Sequence, residues 1–302
     1  MGTEVASPRY ASIDAWNAGD ILEGLIEGQL AAVAAVRAAR RPIEEAAVAI
    51  ERRLREGGRL IYAGAGTSGR LAAQDGAELT PTFGWPRERV LLLLAGGQEA
   101  LLKAIEGAED MPEHAVRLIR EHRVGANDVL IAVAASGTTP FTLACLREAK
   151  AQGALTIGIV NNPDTPVLTE ADHGIWLDTG PESIAGSTRM KAGTAQKVTL
   201  TLLSSLVMIR LGRVYQGLMV DMQANNRKLV KRSETMLTQL TSCTAEEARE
   251  ALARADGSVK LATLLLLQGC GRQEAEDALE RAGGQLRVAL RLARDPHRQG
   301  RK

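Results

Sequence analysis

Three short stretches of this chain gather hydroxyls and glycines where a helix is about to begin. They are "GAGTSGR" (64–70), "ASGTTPF" (135–141) and "GPESIAGSTRMKAGTAQK" (180–197), each following an apolar run. The first offers Gly66, Thr67, Ser68 and Gly69, and the second Ser136, Gly137, Thr138 and Thr139. The third offers Ser187 and Thr188, with Lys191 just behind. A helix amino terminus presents unpaired N–H groups and a partial positive charge, so it favours a phosphate. Neighbouring hydroxyls add donors without fixing much charge. Ser and Thr are also ordinary N-caps and Gly an ordinary turn residue, which would account for any one of these loops. Three of them on one sheet point to a bound anion.

Gly64, Gly66 and Gly69 also spell G-x-G-x-x-G, the dinucleotide fingerprint. That motif requires an acid about 20 residues on, at the end of the next strand, to hold the ribose hydroxyl. Here the strand ends in "LLLLAGGQEA", with Gly96, Gly97 and Gln98 in that place and Glu99 one position further, where a helix opens. The Thr67-Ser68 pair between the glycines suits a phosphate monoester better.

Two acids are candidates for catalysis. Glu78 follows the first loop on the helical stretch "GRLAAQDGAEL", which the region of Pro81 is expected to break, and Glu109 lies in "AIEGAED" after the second strand. Proton transfer at a sugar carbon needs a positioned carboxylate or histidine. His114, His122, His173 and His297 have neither metal nor triad spacing, which leaves the acids. The competing reading is that acids on helices are usually just solvated. Cys145, Cys243 and Cys270 are widely spaced and form no C-x-x-C pair, so neither a zinc knuckle nor a redox pair is encoded. The expectation is no metal, no cofactor and a reducing, cytoplasmic setting.

The elements that must position these residues can be read from periodicity. Residues 20 to 57 are helical: Leu22, Leu25, Ile26, Leu30, Val33 and Val36 recur at three-to-four spacing, and Pro42 belongs in the first turn of a second helix. From 58 to 211, short apolar runs at 59–64, 89–97, 128–136, 155–163 and 173–180 alternate with helical periods. Continuous apolar strands of this kind belong to a parallel sheet buried on both faces. The expected class is therefore α/β, a doubly wound parallel five-stranded sheet with N-terminal helices and a small C-terminal helical domain. Ligands in such sheets sit beyond the carboxyl ends of the strands. An apolar helix from about 189 to 211 follows the third loop. Beyond it, "EEAREALARADGSVKLAT" (246–263) repeats as "QEAEDALERAGGQLRVAL" (273–290), sharing A-x-x-A-L-x-R-A-x-G. Two copies are too few for a solenoid. The expected divisions are 1–56, 57–220 and 221–302.

Composition excludes several partners. Across 302 residues, 37 basic and 36 acidic side chains nearly cancel, which gives no pull toward nucleic acid or an anionic membrane. Aromatics at 3% are too few for base-stacking platforms. Apolar runs such as "VLIAVAA" are too short to span a bilayer, and "MGTEVASPRY" lacks the apolar core of a secretory signal. A homodimer is expected, because the amino-terminal helices and the 198–211 helix offer more apolar face than one sheet can cover.

Several stretches together resemble the N-acetylmuramic acid 6-phosphate etherases of the sugar isomerase (SIS) phosphosugar-binding superfamily. They are "GAGTSGRLAAQDGAELTPTFG", "AGGQEALLKAIEGAED", "AASGTTPF", "GPESIAGSTRMKAGTAQK" and "LMVDMQANNRKLVKR". The likeness runs from about Thr3 to Val288. It implies a SIS fold with flavodoxin-like strand order and a lyase that removes D-lactate from N-acetylmuramic acid 6-phosphate, leaving N-acetylglucosamine 6-phosphate in cell-wall recycling. It also implies that the open-chain sugar loses its C2 proton, that lactate leaves C3, and that water adds. By motif, Glu78 would protonate the departing lactate and activate water, and Glu109 would be the second carboxylate, a candidate C2 base. The chain departs from the family pattern at Thr138, where an Arg is expected, at Gln98, where a Glu is usual, and at Gly76 and Thr80. Two other readings share the phosphate loops: a non-catalytic phosphosugar sensor, which would not need both acids, and an aldose–ketose isomerase, which would not carry "STRMKAGTAQK". The repeated C-terminal hairpin resembles ubiquitin-associated-type helical modules.

Overall fold

Five apolar runs become strands in this computed structural model, which describes residues 2–292 except 223 and 225. His297, the end of the 221–302 division and two positions of "LMVDMQANNRKLVKR" lie outside the described residues. The strands are β1 (Leu60–Gly64), β2 (Val90–Leu94), β3 (Val129–Val133), β4 (Leu155–Val160) and β5 (His173–Trp176). All neighbours are parallel, in the order β2-β1-β3-β4-β5, with Leu60 opposite Val90 on one side and Val129 on the other. Every residue of β1, β3 and β4 is buried, as their unbroken apolar sequences require. β2 reads just as apolar yet is an edge, and its Leu92 is 39% exposed.

The chain forms two compact units, Met1–Ala77 with Arg87–Val207, and Glu78–Pro86 with Met208–Lys302. In the first, α1 (Ala18–Ala38) and α2 (Arg40–Arg55) precede the sheet, with Pro42 in the opening turn of α2. The crossovers are α3 (Gly66–Phe83), α4 (Pro112–Glu121), α5 (Pro140–Ala151) and α6 (Pro166–Glu170), and α7 (Lys191–Arg210) follows the last strand. Ile61, Ala63, Leu130 and Ala132 pack with Ile119, Phe141, Cys145 and Leu146 to form the core on one sheet face. On β1, Tyr62 donates to Asp75 Oδ2 at 3.0 Å, and Ser204 of α7 donates to Asp75 Oδ1 at 3.2 Å, tying strand and both helices together. Burial, reinforced by Asp75, raises the Tyr62 hydroxyl well above its ordinary pKa. Gly76 has a packing reason here, since a Cβ would lie 2.7 Å from Leu92 Cδ2 and 3.1 Å from Tyr62 Cδ2.

Pro81 does not break α3 where the sequence suggested. It sits inside the helix, which runs on to Phe83. A proline in a last turn removes only one intrahelical hydrogen bond, so the turn can close around it.

The second unit contains α8 (Arg227–Thr241), α9 (Ala245–Arg254), α10 (Val259–Gln268), α11 (Arg272–Arg281) and α12 (Leu286–Leu292). The two repeat copies are the pairs α9–α10 and α11–α12. Their shared glycines, Gly257 and Gly284, both take positive φ and donate to equivalent carbonyls, Leu252 and Leu279, at 2.8 Å. The copies differ at their starts: Thr244 and Glu247 form a capping box, while Gly271 opens α11 with no side-chain cap.

Candidate functional site

The order of the sheet reverses between β1 and β3, and in doubly wound sheets ligands bind beyond the carboxyl ends of the strands at such a point. The loops 64–70 and 135–141 leave the sheet there. Gly64 and Gly69 lie back to back: a Cβ on Gly69 would meet Leu94 Cδ1 at 2.2 Å and Gly64 O at 2.6 Å. α3 therefore starts directly against β1, and no larger residue fits. Gly66 takes φ +52 with open space where a side chain would be. Thr67 is half-buried and Ser68 buried. The glycines keep the close strand-to-helix packing of the dinucleotide fold, but the ribose acid is missing. Glu99 lies in a 3-10 turn (Gln98–Leu101) and pairs with Lys103 at 2.7 Å on the surface.

In the second loop, Ser136 Oγ lies 3.2 Å from Thr139 Oγ1 and accepts Thr138 N at 3.2 Å. Gly137 takes φ +69, and a Cβ there would come within 2.1 Å of Thr165 Oγ1. α5 opens at Pro140 without a side-chain cap, and the buried Thr142 Oγ1 has no hydrogen-bond partner among the described residues.

The third loop is built differently. The buried Glu182 carboxylate accepts Lys191 N and Ala192 N, each at 2.9 Å, so the start of α7 already carries an anion from the chain itself. Lys191 is also buried, and its Nζ donates to Thr179 O at 3.0 Å while its stem lies against Gly28 of α1. Ser187 and Thr188 are half-buried. A Cβ on Gly193 would sit 3.3 Å from Thr188 O and 3.4 Å from Thr67 Cγ2, which makes the first and third loops neighbours.

A supporting layer was not singled out from the sequence. At the end of β4, Asn161 accepts Gln196 Nε2 at 2.9 Å and donates to Leu177 O at 3.2 Å. Asn162 donates to Ala135 O at 2.8 Å and to Thr3 Oγ1 at 2.9 Å, and Thr3 O accepts Gly186 N at 3.3 Å. The amino-terminal residues thus brace the second and third loops. The signal was "NNP" directly after an apolar strand, where two amides must find buried partners.

Of the acids, Glu109 is exposed in a 3-10 turn (Ala108–Asp110) of the first unit, just after Gly107 at φ +70. Glu78 is exposed on α3, in the stretch that groups with the second unit. Neither carboxylate has a hydrogen-bond or ion-pair partner among the described residues, so both are open to a ligand. No cluster of side chains able to hold a metal occurs among the described residues. The three cysteines are free.

A family model described as the glucokinase regulatory protein N-terminal SIS domain matches residues 42–150, and the SIS domain model matches 113–206. An N-acetylmuramic acid 6-phosphate etherase of Deinococcus radiodurans is 49% identical over 264 residues, 87% of either chain. One of Streptomyces avermitilis is 45% identical over 268 residues, 88% of this chain and 86% of its own. Another, of Symbiobacterium thermophilum, is 51% identical over 218 residues, 72% of either chain.

Proposed function

The chain belongs to the N-acetylmuramic acid 6-phosphate etherases, and on that premise we propose that it cleaves the lactyl ether of N-acetylmuramic acid 6-phosphate. The products are D-lactate and N-acetylglucosamine 6-phosphate, a step of amino-sugar recycling. The observation that carries this reading is identity of 49% over 87% of both chains with an etherase. A phosphosugar sensor would use the same loops, but the relatives that match between 72% and 88% of this chain are etherases.

The chemistry assigns work to both acids. Glu109 removes the C2 proton of the open-chain sugar, which is acidified by the neighbouring aldehyde, and the C3–O bond to lactate breaks. Glu78 gives its proton to the departing lactate oxygen. The same carboxylate, now ionised, takes a proton from the water that adds at C3, and the C2 proton returns. No net proton is lost and no oxidant is needed. The hydroxyls of Thr67, Ser68, Ser136, Thr138, Thr139, Ser187 and Thr188 and the backbone at Gly66, Gly69 and Gly137 hold the phosphate. Lys191 contributes its positive charge from beneath the third loop.

The working form is a homodimer in the cytoplasm. On α1, Leu22, Ile26, Leu30 and Val33 are 59%, 43%, 66% and 48% exposed and recur on one face, an apolar stripe suited to a second copy. Unpaired cysteines fit a reducing compartment. α7 is long and apolar enough to cross a membrane, but its most apolar window is 56% buried within the protein, as in a core helix.

Turnover in heavy-oxygen water tests the reaction. D-lactate must appear unlabelled, with the label at C3 of the sugar. Label in the lactate would mean that a different bond breaks, and would overturn the proposal.

A further inference from the structure

The run "LMVDMQANN" (218–226) has no part in the phosphate loops or the acid pair, yet its Asp221 is the hub of a cluster of charges in the second unit. Asp221 Oδ2 accepts Lys260 Nζ at 2.5 Å and lies 3.4 Å from Arg213 Nη1. Lys260 also donates to Gly284 O at 2.7 Å, which joins the repeat turn to the same cluster. Burial pulls the Lys260 ammonium below its ordinary pKa, although Asp221 opposes this.

Arg213 carries the cluster to the segment that closes α3. Its guanidinium stacks 5.4 Å from the centroid of the Trp85 ring and reaches Gly84 O at 3.5 Å. Gly84 takes φ +61, and a Cβ there would lie 2.0 Å from Asp221 O, so the two backbones touch. The backbone N–H of the buried Trp85 donates to Leu79 O at 3.4 Å, and Gly84 N donates to Thr80 O at 3.0 Å. Leu79 is 1% exposed and is the residue directly after Glu78. An exposed carboxylate with no side-chain partner is positioned only by the helix beneath it. Here the end of that helix is clamped by Arg213.

We propose that Arg213, held by Asp221 and Lys260, is a positioning residue for Glu78: it fixes the end of α3 so that the Glu78 carboxyl is presented at a constant height. This rests on the role given to Glu78 above. The C-terminal helices then contribute to the reaction through Asp221, Lys260 and the Gly284 turn, without touching substrate.

The test compares Arg213→Met, which keeps the alkyl stem beside Trp85, with Arg287→Met. The latter removes a matched cation-over-ring contact in the same unit, where Arg287 lies 5.1 Å from the Tyr215 ring centroid. Two rates are read: lactate release, which needs Glu78, and hydrogen exchange at C2 of N-acetylglucosamine 6-phosphate in deuterated water, which needs only the C2 base. Because small misplacements of a reacting group cost large factors, Arg213→Met should lower kcat for lactate release at least about 10-fold while KM and C2 exchange stay within about twofold. Arg287→Met should leave all three unchanged. Should Arg213→Met fail to fold, Arg213→Lys, which keeps the charge beside Asp221, should fold and show a smaller loss in lactate release alone. Wild-type kcat in a folded Arg213 variant overturns the proposal, and so does an equal fall in release and exchange. Glu78→Gln is run in parallel. Full turnover there removes the role of Glu78 itself, whereas an inactive Glu78→Gln beside a fully active Arg213→Met removes only the positioning role.

Discussion

The carboxylate of Glu182 closes the start of the helix that begins at Lys191, accepting the backbone N–H of Lys191 and of Ala192 at 2.9 Å each. The three hydroxyl-rich loops are therefore not equivalent. The first two leave their helix starts without such a carboxylate, while the third can offer Ser187 and Thr188 but not those two amides. Glu182→Ala uncovers both donors in a buried place. It should cost about 2 kcal/mol and lower Tm by about 4–8 °C, measured by thermal unfolding. An unchanged Tm would mean that the cap contributes nothing to stability.

Glu78→Gln should abolish lactate release while binding of N-acetylglucosamine 6-phosphate survives, and Glu109→Gln should also stop hydrogen exchange at C2. General acid–base catalysis is worth about 10²–10⁴-fold, so losses of that size are expected in kcat. Undiminished turnover in either variant takes that residue out of the mechanism.

Two glycines of one motif should respond differently to alanine. At Gly69 the new methyl meets Leu94 and the backbone of Gly64 well inside contact distance, so Gly69→Ala should destabilise by about 3 kcal/mol. At Gly66 the space is open and only the φ of +52 is unfavourable, so Gly66→Ala should cost about 1 kcal/mol. Urea unfolding distinguishes them, and equal losses would show that packing at Gly69 is not the constraint.

Acid should attack the ion pair of Arg59 and Asp128. Burial opposes the charge on Asp128, but hydrogen bonds from the Arg59 side chain and backbone and from Gly125 N outweigh it and hold the carboxyl below the usual aspartate range. A depressed folded-state pKa contributes stability that is complete above the unfolded value, about 3.9, and is lost as pH falls through the folded value. Asp128→Asn should lower stability at neutral pH and flatten the decline below about pH 4, read from denaturant midpoints across the acid range. An unaltered acid limb would assign that decline to other carboxylates.

The stripe on α1 makes the oligomer testable. Ile26→Glu with Leu30→Glu should convert a dimer to a monomer in sedimentation, since paired like charges in an apolar contact are strongly unfavourable. Wild-type protein that is monomeric at micromolar concentration would overturn the homodimer.

Much of this protein was legible in order of residues alone. Apolar runs fixed by local periodicity placed β1 to β5 within a few residues of their observed bounds, and the repeat anticipated the equivalent turns at Gly257 and Gly284. The three loops and two acids were visible because residue type and short spacing carry that chemistry. Tertiary structure decided what depends on distant partners. Only strand order makes β2 an edge, despite a sequence as apolar as that of β3. Only folding brings Thr3 to Asn162, 159 positions away, and turns the Lys191 ammonium to the Thr179 carbonyl. The same holds for Arg213 over Trp85, since a cation and a ring far apart in sequence have no spacing that announces their contact. Local backbone preference acts over one or two turns and is written in neighbouring residues. The choice of a buried polar group's partner is set by topology, which the chain reaches only when its layers have packed.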